Sequence, residues 1–202
     1  MAHAVASHYD GRAHDAPAVR ISVKLQIPLQ KTAWAILLWT RINGLGILLC
    51  SIYSKTMINH ILVVCVGNIC RSPMAEALLK SALRDHGDFI VESAGLGAVV
   101  GHPADDNVLE LMAEMNEDVS DHRARQIHPD MVKAADLILV MEAGHKRSID
   151  IADPTARGKV IRLGEWQNRD IGDPYRQPKA VFADALQEIQ EGVASWVQKI
   201  RA

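Results

Sequence analysis

The segment Cys65-Val66-Gly67-Asn68-Ile69-Cys70-Arg71-Ser72 brings a thiol, a guanidinium and a hydroxyl close together in the chain. A cysteine followed six residues later by a basic residue is weak evidence alone. With 22 Lys and Arg among 202 residues, about one cysteine in ten shows that spacing by chance. The surroundings make it specific. Ile61–Val66 is an apolar, β-branched run of the kind buried on both faces of a parallel sheet. Ser72-Pro73 then reads as a helix start, with Ser as N-cap and Pro in the first turn. A loop in that position can curl successive N–H groups around an anion, and the helix start adds unpaired donors and a positive dipole end. Gly67 and Asn68 tolerate the left-handed dihedrals such a nest needs. Arg71 offers a planar fork for two phosphate oxygens. The same field favours the anionic form of the Cys65 sulfur, and Ser72 can donate a hydrogen bond to it. A nucleophile and a cradle for a tetrahedral dianion, floored by Val66, Gly67, Asn68, Ile69 and Cys70, point to phosphoryl transfer through a cysteinyl-phosphate. The plainer reading, Cys65 as a buried strand residue, leaves Arg71 and Gly67-Asn68 unexplained. A zinc site is weaker still, because Cys65 and Cys70 are only two ligands and no His pair has metal spacing. No metal or organic cofactor is implied, since Arg71 and the amides supply the positive charge.

A thiolate attacks phosphate unaided, but the leaving oxygen needs a proton. Asp-Pro occurs at Asp153-Pro154 and Asp173-Pro174. Asp153 precedes the fourth expected strand and belongs at the far edge of the sheet. Asp173 follows that strand, on the loop returning over the reactive edge. The proline biases Asp173 toward an extended conformation. Asp173 is the expected general acid, with Asp170 in reserve, and Tyr175 is near enough to form an aromatic wall.

The elements that must position these groups alternate. Strands are expected at Ile61–Val66, Phe89–Ser93, Leu137–Met141 and Val160–Leu163. Helices are expected from Ser72 (Met74, Ala77, Leu78 and Leu83 inward, Gly87 ending it), from Pro103, over Pro129–Ala135, from Ala143, and from Lys179 to Ile200. In the last, Phe182, Leu186, Ile189, Val193, Trp196, Val197 and Ile200 recur at helical spacing as core. The pattern implies an α/β fold, a four-stranded parallel sheet with helices on both faces, its function at the carboxyl ends of the strands.

Composition agrees with a globular domain: 49% hydrophobic, 23% charged, net charge −2, and three cysteines, too few for a disulfide-stapled scaffold. Near-zero net charge argues against a general nucleic-acid binder. The charge is uneven, however. Residues 1–56 hold six basic and two acidic residues and no Glu, so 57–202 carry the acidic excess. A boundary is placed at Met57, four residues before the first strand. Within 1–56, residues 33–53 have the length of a membrane span, but Arg41 sits at the middle, at a cost of roughly 2.5–3.5 kcal/mol. Three readings of 1–56 stay open: an unfolded leader from a start codon placed too early, a weak membrane or surface anchor, or a genuine accessory segment.

The residues from Met57 onward resemble the low-molecular-weight protein tyrosine phosphatases. The match lies in CVGNICRSPMAEALL from Cys65, VESAG from Val91, SDHRARQ from Ser120, LILVMEAGHK from Leu137 and GEWQNRDIGDPYRQP from Gly164. The last two look most like bacterial members linked to tyrosine kinases of exopolysaccharide synthesis. The resemblance implies a flavodoxin-like, four-stranded parallel fold. It implies Cys65 as nucleophile, Arg71 as phosphate clamp, and Asp173 as acid and then as base for water. Asn68, Ser72, Ser93 and His122 would shape the loop. Tyr175 and Leu96–Val99 would line the entrance, and Cys70 would sit close enough to Cys65 for a reversible disulfide, or serve only for packing. It further implies a cytoplasmic enzyme acting on a phosphorylated bacterial tyrosine kinase. Residue 172 is Gly where bacterial members usually have Pro, which should loosen the acid loop, and 1–56 has no counterpart. Arsenate reductases share the scaffold but relay oxidation through further cysteines, and none follows Cys70. Phosphoarginine phosphatases are the nearer alternative; they tend to have Thr where Ile69 stands, and an apolar Ile favours a flat aromatic ring. A phosphotyrosine-binding module without turnover would not need Cys65, Arg71 and Asp173 together.

Overall fold

The structure, a computed structural model, describes residues 58–201. The extension 1–56 and the boundary at Met57 lie outside the described residues. Four strands, β1 (His60–Cys65), β2 (Ile90–Gly95), β3 (Leu137–Val140) and β4 (Val160–Arg162), form one parallel sheet in the order β2-β1-β3-β4. Alternate side chains of β1 and β3 enter two separate cores, as the period of two requires. Ile61, Val63, Cys65, Leu137 and Leu139 pack with α1 (Arg71–Leu83), α2 (Asp106–Glu114) and α5 (Lys179–Arg201). Leu62, Val64, Ile138 and Val140 pack with Val132 of α3 (Pro129–Ala134) and Ile149 of α4 (Ala143–Ala152). Two covered faces explain why these strands read as continuous apolar runs rather than alternating ones.

The strand order reverses between β1 and β3, so the loops after those strands diverge to opposite faces and leave a crevice at the carboxyl edge. That is where the Cys65–Ser72 loop lies. The long helix α5 fastens this edge from below. Trp196 donates its Nε1–H toward the carbonyls of Arg162 and Leu163, at 3.2 and 3.1 Å. A Cβ on Gly192 would fall 2.9 Å from the Leu163 carbonyl oxygen, so glycine lets helix and strand end approach closely.

Several boundaries differ from the sequence expectation. Helix α1 begins at Arg71 with Cys70 in the N-cap position and no side-chain cap, so Ser72 is not its N-cap. The Ser72 hydroxyl is engaged elsewhere, as described below. The buried side of α1 is Met74, Ala75, Leu79 and Leu83, with Ala77 and Leu78 only partly buried. The helix packs on both the sheet and α5, which rotates its covered face. It ends at Leu83; Gly87, at φ 128°, serves the following turn. Strand β2 runs one residue later at its start and two later at its end than expected, because Ala94 and Gly95 still pair with Val64 and Cys65. Pro103 does not open α2. Asp105 caps it, its carboxylate accepting from the Asn107 amide at 3.0 Å, which is the stronger N-terminal signal.

Candidate active site

The loop after β1 is held from outside by its carbonyls. Those of Cys65, Val66 and Gly67 accept from the amides of Leu96, Gly97 and Val99; that of Ile69 accepts from the Asp105 amide. The Asn68 carbonyl lies 2.7 Å from His122 Nε2. With five successive carbonyls turned outward, the loop amides turn inward. The Asn68 amide donates to Cys65 Sγ at 3.2 Å. Those of Val66, Gly67, Ile69 and Cys70 have no acceptor among the described residues.

Asn68 is the hinge of this curl. It sits at φ 57° and is fully buried, and its side chain is saturated. Nδ2 donates to Ser72 Oγ at 2.9 Å and Ser93 Oγ at 2.8 Å, while Oδ1 accepts from the Arg125 amide at 2.9 Å. Ser93, in the carboxyl half of β2, and His122 therefore join the network through Asn68. Ser72 Oγ also lies 2.9 Å from Cys65 Sγ, which is why it does not cap α1. Gly67, expected to share the left-handed role, has no positive φ. A Cβ there would make ordinary contacts with Ile69 and Val99. The glycine that sterics demand is Gly95, where a Cβ would sit 2.3 Å from the Val66 carbonyl oxygen. Without that bare backbone, the Leu96–Val99 segment could not lie against the loop.

A pocket of about 160 Å³ opens at this point, lined by Cys65, Val66, Gly67, Ile69, Cys70, Arg71, Gly97, Val99, Asp173 and Tyr175. It brings together the loop, the acid and the aromatic wall expected from sequence. A larger cleft of about 530 Å³ runs along the exposed side of α1 and reaches the loop network only at His122. The Cys65 sulfur, the Arg71 guanidinium and the Asp173 carboxylate converge on the smaller one.

Arg71 is 1% exposed. Its Nη1 donates to Glu142 Oε1 at 2.5 Å and to the Ile171 carbonyl at 2.7 Å, and Nη2 lies 2.9 Å from Asp173 Oδ2. Its Nε has no partner among the described residues. A buried guanidinium with an unpaired N–H costs free energy unless an acceptor comes to it. Beside the inward amides, such an acceptor is an anion. Burial pushes the Cys70 thiol up to about 12, and the neighbouring Asp105, Cys65 and Asp173 add to the shift against the opposing charge of Arg71.

The family model for low molecular weight phosphotyrosine protein phosphatases matches residues 60–202. The probable phosphatase EpsP of Ralstonia solanacearum is 53% identical over 72% of this chain and 99% of its own length. The chain belongs to the low molecular weight protein tyrosine phosphatase family. Two solved structures agree with that fold. Vibrio vulnificus Wzb in complex with benzylphosphonate superposes with a TM-score of 0.67 at 43% identity, over 70% of this chain and 99% of that one. The YwlE arginine phosphatase of Geobacillus stearothermophilus gives 0.65 at 32% identity, over 70% and 92%.

For this phosphatase, sequence reasoning misplaced one residue and missed others. Asp170, held as the reserve acid, does not line the pocket. Its Oδ1 accepts from the Ala143 amide at the start of α4 at 3.1 Å and from Arg162 at 3.2 Å, so it serves as a helix cap. Asp153 caps the turn before β4, its Oδ1 accepting from the Thr155 amide, as its place before that strand requires. Glu142, His145 and Arg125 were not singled out. Only distant contacts reveal them: Arg125 through its amide to Asn68, Glu142 after β3 through Arg71, and His145 in the first turn of α4 beside Glu142. The signal for Glu142 was present in retrospect, as a charged residue directly after a buried strand at the carboxyl edge. Gly172 leaves open space around its Cα, but the chain is pinned one residue earlier. The Ile171 amide donates to the Met141 carbonyl at 2.9 Å, and the Ile171 carbonyl accepts from Arg71.

Proposed function

We propose that this phosphatase hydrolyses phosphotyrosine with Cys65 as nucleophile, Arg71 as phosphate clamp and Asp173 as general acid and then base. Its substrate is a phosphorylated bacterial tyrosine kinase that controls exopolysaccharide synthesis or export, met in the cytoplasm. The observation carrying this reading is the buried Arg71 fork, its Nε without a partner among the described residues, in the lining of the same small pocket as the Cys65 sulfur and the Asp173 carboxylate.

In the first step Cys65 Sγ attacks phosphorus, the P–O bond to the tyrosine breaks, and Asp173 gives its proton to the departing phenolate oxygen. The inward amides and Arg71 hold the three equatorial oxygens. In the second, Asp173 takes a proton from water, the water oxygen attacks phosphorus, and the S–P bond breaks. Phosphate leaves, and Ser72 Oγ, 2.9 Å from the sulfur, can donate to the departing thiolate. Asn68, Ser93 and His122 keep the loop in shape. Val66, Gly67, Ile69 and Cys70 present their amides, and Tyr175 and Val99 flank the ring. Among the described residues no helix is long and apolar enough to cross a membrane.

The alternative is a phosphoarginine phosphatase, since one of the superposing structures is an arginine phosphatase. Ile69 in the pocket lining favours the aromatic substrate. An arsenate reductase of the cysteine-relay type lacks its later cysteines. Hydrolysis of aryl phosphates at mildly acidic pH tests the mechanism. Cys65→Ser should lose turnover yet still bind oxyanions. Asp173→Ala should be slower by about 10²–10⁴-fold, chiefly with poor leaving groups. Equal rates for all three proteins would refute the assignment, and a preference for phosphoarginine over phosphotyrosine peptides would favour the alternative.

A further inference from the structure

Eight large apolar side chains stand exposed among the described residues. Three of them, Val66, Val99 and Tyr175, line the small pocket, and a fourth, Val100, follows Val99 in the chain. Two tight turns border this mouth. In the first, the Val99 carbonyl accepts from the His102 amide at 3.1 Å and Gly101 takes φ 82°, which puts Val100 at the corner. In the second, the Pro174 carbonyl accepts from the Gln177 amide at 2.9 Å and Arg176 takes φ 62°, which puts Tyr175 at the corner. Turn corners usually carry proline or a small polar residue. Val100 is instead an aliphatic side chain, 65% exposed, that packs in neither core. Apolar surface gathered in one exposed place marks a contact with something else.

The surface is continuous with the pocket. The carbonyls of Val66 and Gly67 accept from the amides of Gly97 and Val99 at 3.1 and 3.0 Å, which lays residues 96–101 against residues 66–70. A Cβ placed on Gly67 would meet Ile69 at 3.4 Å and Val99 at 3.8 Å, so those two side chains join across the bare glycine. Residues 66–70 and 96–101 contain no Asp, Glu, Lys, Arg or His. An acidic group resting there would lose water and find no cation in either segment. Arg176, on the second turn, lies with its guanidinium 5.1 Å from the centre of the Tyr175 ring and is engaged by that ring.

We propose that the rim formed by Val66, Ile69, Val99 and Val100 docks the substrate chain beside the phosphotyrosine and selects a bulky apolar or aromatic side chain next to that residue. The inference rests on the reading that the pocket takes phosphotyrosine, and it extends that reading to the neighbouring residues. With the ring and phosphate inside the pocket, the chain on both sides has to cross the lip. Consecutive Cα atoms are only about 3.8 Å apart, so an adjacent side chain settles on whatever forms that lip. An apolar neighbour there takes water off both surfaces. A small aryl phosphate has no neighbour and makes no use of Val100.

Three phosphotyrosine peptides test this, identical except that the residues on both sides of the phosphotyrosine are leucine, serine or glutamate. For the wild type, kcat/KM on the leucine peptide should exceed that on the serine peptide about tenfold, with the glutamate peptide lowest. Val100→Ser should lose most of that advantage and Val100→Ile should keep it, while both hydrolyse a small aryl phosphate with the wild-type kcat/KM. Equal kcat/KM on the three peptides would overturn the proposal, and a preference for glutamate would hand the selection to Arg176 instead. An undiminished leucine advantage in Val100→Ser would also overturn it. So would an equal fall on the leucine peptide and the aryl phosphate, the mark of a merely structural role. Hydrolysis of the aryl phosphate with no turnover of any peptide would strike the phosphotyrosine reading itself, and the proposal with it.

Discussion

At the scale of single residues, the two cysteines of the pocket illustrate how environment divides identical chemistry. Cys65 ends a strand where an amide and a hydroxyl point at its sulfur. Cys70, five residues on, stands at the N-cap position of α1 with no cap bond, and burial with nearby carboxylates pushes its thiol up to about 12. A group raised that far stays protonated, and so poorly nucleophilic, at every pH below that value. Peptide-mapped alkylation of the folded protein at neutral pH should therefore label Cys65 and spare Cys70. Labelling of Cys70 should appear only on unfolding or toward strongly alkaline pH. Equal labelling of both at neutral pH would contradict the placement. Asn68 shows the complementary lesson. Its left-handed backbone is of the kind that costs about 1–2 kcal/mol in most residues. Asparagine tolerates it, and here three side-chain hydrogen bonds hold it in place.

At the scale of elements, the start of α4 brings scattered parts of the chain together. Asp170 reaches it from the loop after β4, and Glu142 leaves it for Arg71. Removing the Asp170 carboxylate should cost the cap about 0.5–2 kcal/mol, seen as a lower urea midpoint. Because Asp170 lies outside the pocket lining, Asp170→Ala should not steepen the dependence of rate on leaving group. A steeper dependence, matching that of Asp173→Ala, would show that it supplies protons after all. The β2–loop junction is another such element. Leu96, Gly97 and Val99 donate to the phosphate-loop carbonyls only because Gly95 lets the backbones meet.

At the scale of the whole molecule, the sheet order decides where all of this converges, and burial sets how stability responds to pH. Burial lowers the His145 pKa below its ordinary 6.5, and the Arg71 charge adds to this against the raising influence of Glu142, Asp173 and Asp170. The unfolded chain then binds a proton that the folded one does not. Stability is accordingly full above the ordinary histidine value and declines as pH falls below it. The loss stops growing once the folded group also protonates. Urea midpoints taken across mildly acidic pH should show this slope, and His145→Asn should flatten it. An unchanged slope would place the pH dependence elsewhere. We also propose that 57–202 is the catalytic domain. A chain starting at Met57 should keep the kcat/KM of the full chain on an aryl phosphate, and a large loss would give 1–56 a catalytic role.

The sequence alone determined the alternation of strands and helices, the parallel sheet, and the grouping of Cys65, Asn68, Arg71 and Ser72, because those signals are local. A β-branched run, a helix start and a reactive loop are written in consecutive residues. The placement of Asp173 was legible too, since strand polarity says which loops return to the reactive edge. What only the tertiary structure decided was which side chains meet across elements. Ser72 reads from sequence both as a cap and as a partner of the sulfur, and only the second holds; Asp170, the reserve acid, instead caps α4; Glu142 and Arg125 lie within the segments that carry the resemblance, but nothing local in the chain gives them a role. A carboxylate's role depends on which donor lies within about 3 Å of it, and residues separated by dozens of positions reach that distance only when the sheet closes its crevice.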